Sequence, residues 1–179
     1  MATTADDLRA GLGHIEAAPS DNGTLELIVR RPRVDEREML EEAELDVELG
    51  VVGDSWSTRG KRPNRKAQVT LMNARAAALV AGPDGERWAL AGDQLFVDLD
   101  LSGANLPPGT RLAIGSAVVE VSDLPHLGCG KFTARFGEDA RALVNSDEGV
   151  ALNLRGINTT VVQGGTVWRG DSVRKLAAD

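Results

Sequence analysis

Short segments rich in apolar residues recur along the chain, and turn residues separate most of them. Runs of four to eight residues with β-branched or alternating apolar positions are typical of strands. The pattern predicts strands over 25–31, 68–72, 95–99, 111–114, 117–122, 157–162, 166–168 and 173–176. The pairs Gly115-Ser116 and Gly164-Gly165 favour hairpins, whereas residues 50–56 have the composition of a turn.

Only a few segments have helical periodicity. The sequence predicts short helices near 6–9, over 73–81 with a stop at Gly82-Pro83, and over 131–136 and 138–144. Residues 37–45 fit either a helix or one strand face. Many short strands with few helices indicate a mainly β protein, a β-barrel with a few short helical insertions.

The 179 residues suggest one domain, with 1–10 as an N-terminal extension and 11–176 as the barrel. No apolar run reaches the roughly 18 residues that span a bilayer. A single cysteine argues against a disulfide-built secreted domain, and the N-terminus has no signal-peptide pattern. We therefore expect a soluble cytoplasmic protein without membrane partners.

The net charge of −7 disfavours nucleic-acid binding, which needs positive potential. Positive charge is nevertheless concentrated in one loop that contains Gly60 and Pro63. Its cations are Arg59, Lys61, Arg62, Arg65 and Lys66. Such a loop either binds an anion, phosphates above all, or is simply solvated. It has no interleaved aromatic residues that could stack on bases.

The one cysteine, Cys129, lies between Gly128 and Gly130 and just before the predicted helix over 131–136. Glycine neighbours leave a thiol open to approach, and a helix N-terminus lowers a thiol pKa. Lys131 adds positive charge. A thiolate there could ligate a soft metal or attack persulfide sulfur. The alternative is a small buried core residue.

His126 lies three residues before the cysteine and could orient or protonate its sulfur, or could simply belong to a capping loop. A zinc site would need more ligands than these two, and the other histidine is the distant His14. A Cys129–His126–Asp123 hydrolase triad also stays open on sequence grounds.

Arg155, beside Gly156 at a predicted strand start, could present its planar fork to a phosphate or carboxylate, or form a surface ion pair. No phosphate-binding P-loop, dinucleotide-binding glycine pattern or HExxH motif is present.

Taken in order, several segments resemble the MOSC family, named for the C-terminal domain of molybdenum cofactor sulfurase. The resemblance covers about residues 11–176. The segments that carry it are 50–56, 68–73, 92–101, 106–115, 125–132, 135–137, 154–158 and 170–173. Residues 92–95 depart from it, because they read Gly-Asp-Gln-Leu where many relatives have Gly-Glu-Asn-Leu.

The resemblance implies a pyruvate-kinase-type β-barrel and one important thiol, which maps onto Cys129. In the family this thiol is proposed to carry sulfur or to ligate molybdenum of the pterin cofactor. Some members reduce N-hydroxylated compounds within larger systems. Pyridoxal phosphate is a family association only, since it belongs to a separate desulfurase domain that has no counterpart in this sequence.

The sequence therefore predicts a protein that binds molybdenum cofactor, or carries sulfur, at Cys129, with His126 and Lys131 as further catalytic candidates. Cofactor contacts are expected from Arg155, Asn158, Asp54, Arg59, Arg62 and Arg65. A cysteine desulfurase or an electron-transfer protein would be the partner of a small-molecule reaction, because no flavin or iron–sulfur module is visible. The alternative is a non-catalytic barrel that binds an anion or a partner, with a structural Cys129.

Overall fold

The computed structural model describes residues 3–178, and strands dominate it. The strands are Gly23–Arg30 (β1), Glu38–Leu40 (β2), Glu42–Asp46 (β3), Gly50–Val51 (β4), Val69–Asn73 (β5), Leu95–Asp98 (β6), Arg111–Ile114 (β7), Ala117–Val121 (β8), Ile157–Gln163 (β9), Gly165–Trp168 (β10) and Ser172–Lys175 (β11). The α-helices are Ala5–Ala10 (α1), Leu12–Glu16 (α2), Ala74–Ala81 (α3), Gly85–Ala89 (α4), Gly130–Phe136 (α5), Glu138–Val144 (α6) and Asp147–Ala151 (α7). Two 3₁₀ turns lie at Ser55–Thr58 and Arg65–Ala67.

Seven strands close into a barrel in the order β11-β7-β8-β9-β5-β6-β1, and the pairing of β1 with β11 closes it. The β5–β6 pair is parallel and the other pairs are antiparallel, so the barrel is mixed. Strand β2 also pairs with β1, while β10, β3 and β4 form a small second sheet. This architecture confirms the predicted mainly β barrel with short helices.

The apolar side chains of the strands fall into two cores, one on each face of the barrel wall. On β6, Leu95 and Val97 pack in one cluster and Phe96 in the other. On β5, Leu71 and Met72 separate in the same way. Because side chains alternate across a strand, a strand covered on both faces has an almost continuous apolar sequence. The second cluster lies under the helices.

One predicted feature of the strand pattern is wrong. Strands β9 and β10 do not pair with each other: β9 pairs with β8 and β5, whereas β10 pairs with β3. The chain changes sheets at Gly165, where an added Cβ would lie 2.5 Å from Ser116. Residues 50–56 contain the predicted turn at Val52-Gly53, between strand β4 and the start of a 3₁₀ turn.

The ambiguous segment 37–45 is extended and contains β2 and β3. Helix α1 lies within the predicted N-terminal extension, begins with a capping box between Thr4 and Asp7, and buries Leu8 in the second core. The domain boundary at residue 10 stays a prediction. No helix among residues 3–178 is long and apolar enough to cross a membrane.

Asn73 joins β5, α3 and the end of β6. Its side-chain oxygen accepts from the N–H groups of Arg75 and Ala76, and its Nδ2 donates to the Leu99 carbonyl. Replacing Asn73 by Ala removes the helix cap and leaves a buried carbonyl unpaired, so we expect a loss of about 2 kcal/mol in the free energy of unfolding.

Urea denaturation measures this loss. Asp84→Ala is the matched control, because Asp84 caps only the exposed start of α4 through the Glu86 N–H. Equal losses in the two variants would show that Asn73 acts as a helix cap alone and would contradict its second role at the Leu99 carbonyl.

Candidate functional site

Two adjoining cavities are lined by several of the predicted site residues, and we call them together the cleft. The thiol lobe, about 400 Å³, contains Cys129 in its wall, and the loop lobe, about 420 Å³, is lined by part of the loop 59–66. Four residues line both lobes, and we call them the seam: Arg31, Arg59, Thr70 and His126. The seam makes the two lobes one continuous surface.

The cleft is strongly cationic although the protein is acidic overall. Of the 20 lysines and arginines in the chain, eight line it: Arg31, Arg33, Arg37, Arg59, Arg62, Lys131, Arg135 and Arg155. Asp35 is the one carboxylate among the lining residues of the described chain. Clefts lined by one sign of charge concentrate ligands of the opposite sign, so this cleft suits an anion.

Cys129 is exposed at the cleft and directly precedes α5, as predicted. Hydrogen bonding by the Phe132 N–H lowers the pKa of the Cys129 thiol and outweighs the opposing effect of burial. The Lys131 N–H and the Arg155 charge lower the pKa further. The exposure of this side chain contradicts the alternative of a buried core residue, and the lowered pKa favours the nucleophilic thiolate.

The two glycines beside the thiol have different roles. A Cβ on Gly128 would lie 2.9 Å from Val144 Cγ2, and Asn145 hydrogen-bonds both the N–H and the carbonyl of Gly128. A Cβ on Gly130 would meet nothing within 4 Å. Gly128 therefore packs closely against α6 and anchors the segment 124–129, which we call the thiol loop. Gly130 leaves open space beside the sulfur.

His126 lies at the seam with its Nδ1 toward the buried Asp93. The distance from Nδ1 to Asp93 Oδ1 is 3.5 Å, and both atoms are buried without a hydrogen bond to any group of residues 3–178. Burial lowers the pKa of His126 to about 4; Asp93 opposes this shift, and Arg155 and Arg31 add to it. The imidazole is therefore neutral at neutral pH.

Arg155 lines the thiol lobe, as His126 does. Its Nη1 lies 2.5 Å from Asp93 Oδ2, its Nη2 donates to the Ala91 carbonyl, and its guanidinium lies 5.1 Å from the centre of the Phe132 ring. The side chain is buried, so the surface ion pair considered from the sequence is instead an internal one. Arg155 therefore holds Asp93 and the Ala91 carbonyl in place in addition to lining the thiol lobe.

Arg31 is a central cleft residue that sequence reasoning missed. Its Nε and Nη2 donate to the two oxygens of Asp54, and its Nη1 donates to the Gly92 carbonyl. Burial raises the pKa of Asp54, but hydrogen bonds and charge from Arg31 outweigh it and hold that pKa below its usual value. Asp54 thus lies behind the cleft wall and holds the Arg31 guanidinium in place. The sequence feature that could have indicated Arg31 is its position at the end of a predicted strand, directly before Pro32.

The basic loop divides between the cleft and the outer surface. Arg59 and Arg62 line the cleft, whereas Arg65 pairs with Glu48 outside it. Lys66 pairs with Asp123, so the carboxylate nearest in sequence to His126 faces elsewhere, and the structure does not assemble the Cys129–His126–Asp123 triad.

Asn158 lines the loop lobe and also holds the thiol loop, because its Nδ2 donates to the carbonyls of Leu124 and Pro125. Within residues 3–178, no group of three or more histidine, cysteine or carboxylate side chains could hold a metal ion.

The sequence matches no protein-family model and no curated protein. Solved structures do share the fold. YiiM from Escherichia coli aligns with a TM-score of 0.58 at 19% identity, over 87% of this chain and 71% of that one. YiiM from Geobacillus stearothermophilus gives 0.59 at 12% identity, over 87% and 75%. The YuaD protein from Bacillus subtilis gives 0.58 at 16% identity, over 88% and 97%.

The barrel of this chain therefore shares its fold with these solved structures. Identities this low establish shared architecture alone. The expected family fold is supported, and the chemistry of the cleft has to be argued from its own residues.

The origin of the low thiol pKa can be tested by substitution at position 131. In Lys131→Pro the N–H that faces the sulfur is lost at a first-turn position that tolerates proline, so we expect a higher thiol pKa. Lys131→Ala keeps that N–H and should leave the pKa close to that of the wild type. The measurement is the pH dependence of iodoacetamide labelling of Cys129.

Labelling in urea supplies the unfolded reference, and the native midpoint should lie at lower pH than the unfolded one. Identical midpoints for native and unfolded protein would show that the backbone donors do not activate the thiol. A shift in the alanine variant as large as that in the proline variant would assign the effect to the lysine charge instead.

The buried neutral His126 should make the fold acid-sensitive. Below pH 6.5 the unfolded chain gains a proton that the native imidazole takes up only near its pKa of about 4. Stability is therefore complete above pH 6.5 and is lost as the pH falls toward 4, by about 3 kcal/mol from this group.

Urea denaturation at about pH 7.5 and about pH 4.5 measures the loss for wild type and variants. His126→Leu should show a smaller loss than wild type, and the exposed His14→Gln should show the same loss. A wild-type loss that His126→Leu leaves unchanged would assign the acid sensitivity to carboxylates alone.

Proposed function

We propose that this chain is a MOSC-domain protein that binds molybdenum cofactor in the cleft, with the Cys129 thiolate as the protein ligand of the metal. The single observation that carries the proposal is an exposed, activated thiol in the wall of a cleft lined by eight cationic side chains. A binding site for a pterin that bears a phosphate and a thiolate-bound metal needs both features.

The residues present fit this group. A thiolate is a soft ligand, and the lowered pKa of the Cys129 thiol favours this form. The arginines around the seam provide forked donors suited to phosphate, and Arg59 and Arg62 at the loop lobe carry this role best because they are exposed. When bound, the cofactor would supply two-electron redox chemistry that no side chain of this protein provides.

The proposed activity is the reduction of a small N-hydroxylated compound, with electrons from a separate electron-transfer protein. His126 and Lys131 are the side chains nearest in sequence to the thiol, and both line the thiol lobe. Lys131 would attract an anionic substrate, and His126 would hold it through its neutral ring.

A second candidate function is sulfur carriage without a bound metal, and the exposure of Cys129 favours it. The thiolate would attack the outer sulfur of a persulfide on a cysteine desulfurase. A new S–S bond forms at Cys129, the donor's S–S bond breaks, and the donor cysteine leaves as a thiolate, with no net oxidation.

The metal proposal is tested by expressing the protein in a host that makes the cofactor and measuring molybdenum by mass spectrometry. We expect bound molybdenum in the wild type and at least tenfold less in Cys129→Ser. An Arg59→Ala, Arg62→Ala double variant should also lose cofactor, whereas Arg9→Ala, at an exposed position on α1, should retain it.

Wild-type protein without molybdenum, or equal molybdenum in Cys129→Ser, would reject the metal role. The sulfur role is measured separately, by intact mass after incubation with a cysteine desulfurase and cysteine. A single sulfur adduct that Cys129→Ser lacks supports it, and an unmodified wild-type mass counts against it.

A further inference from the structure

The orientation of His126 follows from the chemistry of its neighbour. Asp93 is fully buried, and its Oδ2 already accepts from Arg155. Its Oδ1 faces His126 Nδ1 at 3.5 Å, and within residues 3–178 neither atom forms a hydrogen bond. An ionised carboxylate only accepts hydrogen bonds, so Nδ1 carries the proton of the neutral ring. The remaining nitrogen, Nε2, then has a free lone pair.

Nε2 of His126 is accessible from the cleft. Three buried side-chain polar atoms of the described chain lack a partner, and the only one from His126 is Nδ1. Nε2 forms no hydrogen bond with residues 3–178, and the ring lines both lobes. The seam therefore presents an acceptor beside the guanidinium groups of Arg31 and Arg59.

Thr70 provides a second acceptor at the same place. The Thr70 N–H donates to Gln94 Oε1 at 2.8 Å, which identifies that atom as the oxygen of the amide. Thr70 Oγ1 lies 2.6 Å from the same oxygen, so its one O–H group donates to that oxygen. Toward the cleft, this hydroxyl can only accept.

We propose that the seam selects an anion that also carries an O–H or N–H group, which donates to His126 Nε2 while Arg31 and Arg59 hold the negative charge. This deepens the proposed function and rests on it only in assuming that the cleft takes an anionic ligand. A fully deprotonated oxyanion would place an oxygen lone pair against the lone pair of Nε2. A protonated oxyanion, or an anion with an adjacent N–OH or ring N–H, makes a hydrogen bond there instead.

Hydrogenphosphate and sulfate are the probes, because both are tetrahedral dianions and only hydrogenphosphate has an O–H. Isothermal titration at about pH 8 keeps phosphate largely as the dianion. It also keeps His126 neutral, given its pKa of about 4. We expect the wild type to bind hydrogenphosphate at least about tenfold more tightly than sulfate, the factor that one hydrogen bond to a charged group provides.

Asp93→Asn is the diagnostic variant. Its amide would accept from Arg155 through Oδ1 and donate to His126 through Nδ2, so that the imidazole proton moves to Nε2 and the seam acquires a donor. The preference should then shift toward sulfate. His126→Leu should bring the two affinities together, and His14→Gln should keep the wild-type ratio.

Equal wild-type affinities, or no measurable binding of either anion, would overturn the proposal. Circular dichroism and urea denaturation show whether each variant is folded. If Asp93→Asn does not fold, the ratio of the hydrogenphosphate and sulfate affinities in the wild type, compared with the ratio in His126→Leu, decides whether the proposal holds. The outcome is independent of molybdenum content: a protein that lacks the metal but prefers hydrogenphosphate contradicts the proposed function and supports the acceptor at the seam.

Discussion

The cleft depends on one short segment, Gly92-Asp93-Gln94, which leads into β6. The Gly92 carbonyl accepts from Arg31, the Asp93 carboxylate pairs with Arg155, and the Gln94 amide accepts from Thr70. Three consecutive residues thus each fix one residue of the cleft. Because the parallel β5–β6 pair holds this segment inside the structure, the positions of the cations follow from the closure of the barrel.

Buried carboxylates allow arginines to stay charged at the edge of an apolar core. Asp54 and Asp93 are both buried, and each takes one guanidinium, Arg31 and Arg155 respectively. Removing one member of such a pair is costly because it leaves an uncompensated buried charge. The acidic residues behind the wall therefore hold positive groups in place at its surface, which explains a cationic cleft in a protein with net charge −7.

The local elements could largely be predicted from the sequence, whereas their pairing could not. Asn73 and Gly82 mark the ends of α3 because a side-chain cap and a positive φ are local requirements. In the second sheet β10 pairs with β3, and Thr166 also donates to Ser116; both partners lie far away in the chain. A glycine turn between two strand-like runs does not distinguish a hairpin from a change of sheet.

The residues of the candidate site could likewise be predicted from the sequence only in part. Cys129 and the loop 59–66 were visible as a lone thiol between glycines and a run of cations. Arg31 and Asp93 were not singled out, because their roles arise from partners distant in sequence. Asp54 and Arg155 were predicted as ligand contacts, and the structure places both in ion pairs that support the cleft, with Arg155 also forming part of its wall.

The barrel closes where β11, the last strand, pairs with β1. Arg31 and Arg155, which are far apart in the sequence, both line the thiol lobe. The pairing of β1 with β11 joins segments that lie far apart in sequence, and contacts of this kind form slowly during folding. The pocket is therefore among the last parts of the molecule to be completed as it folds.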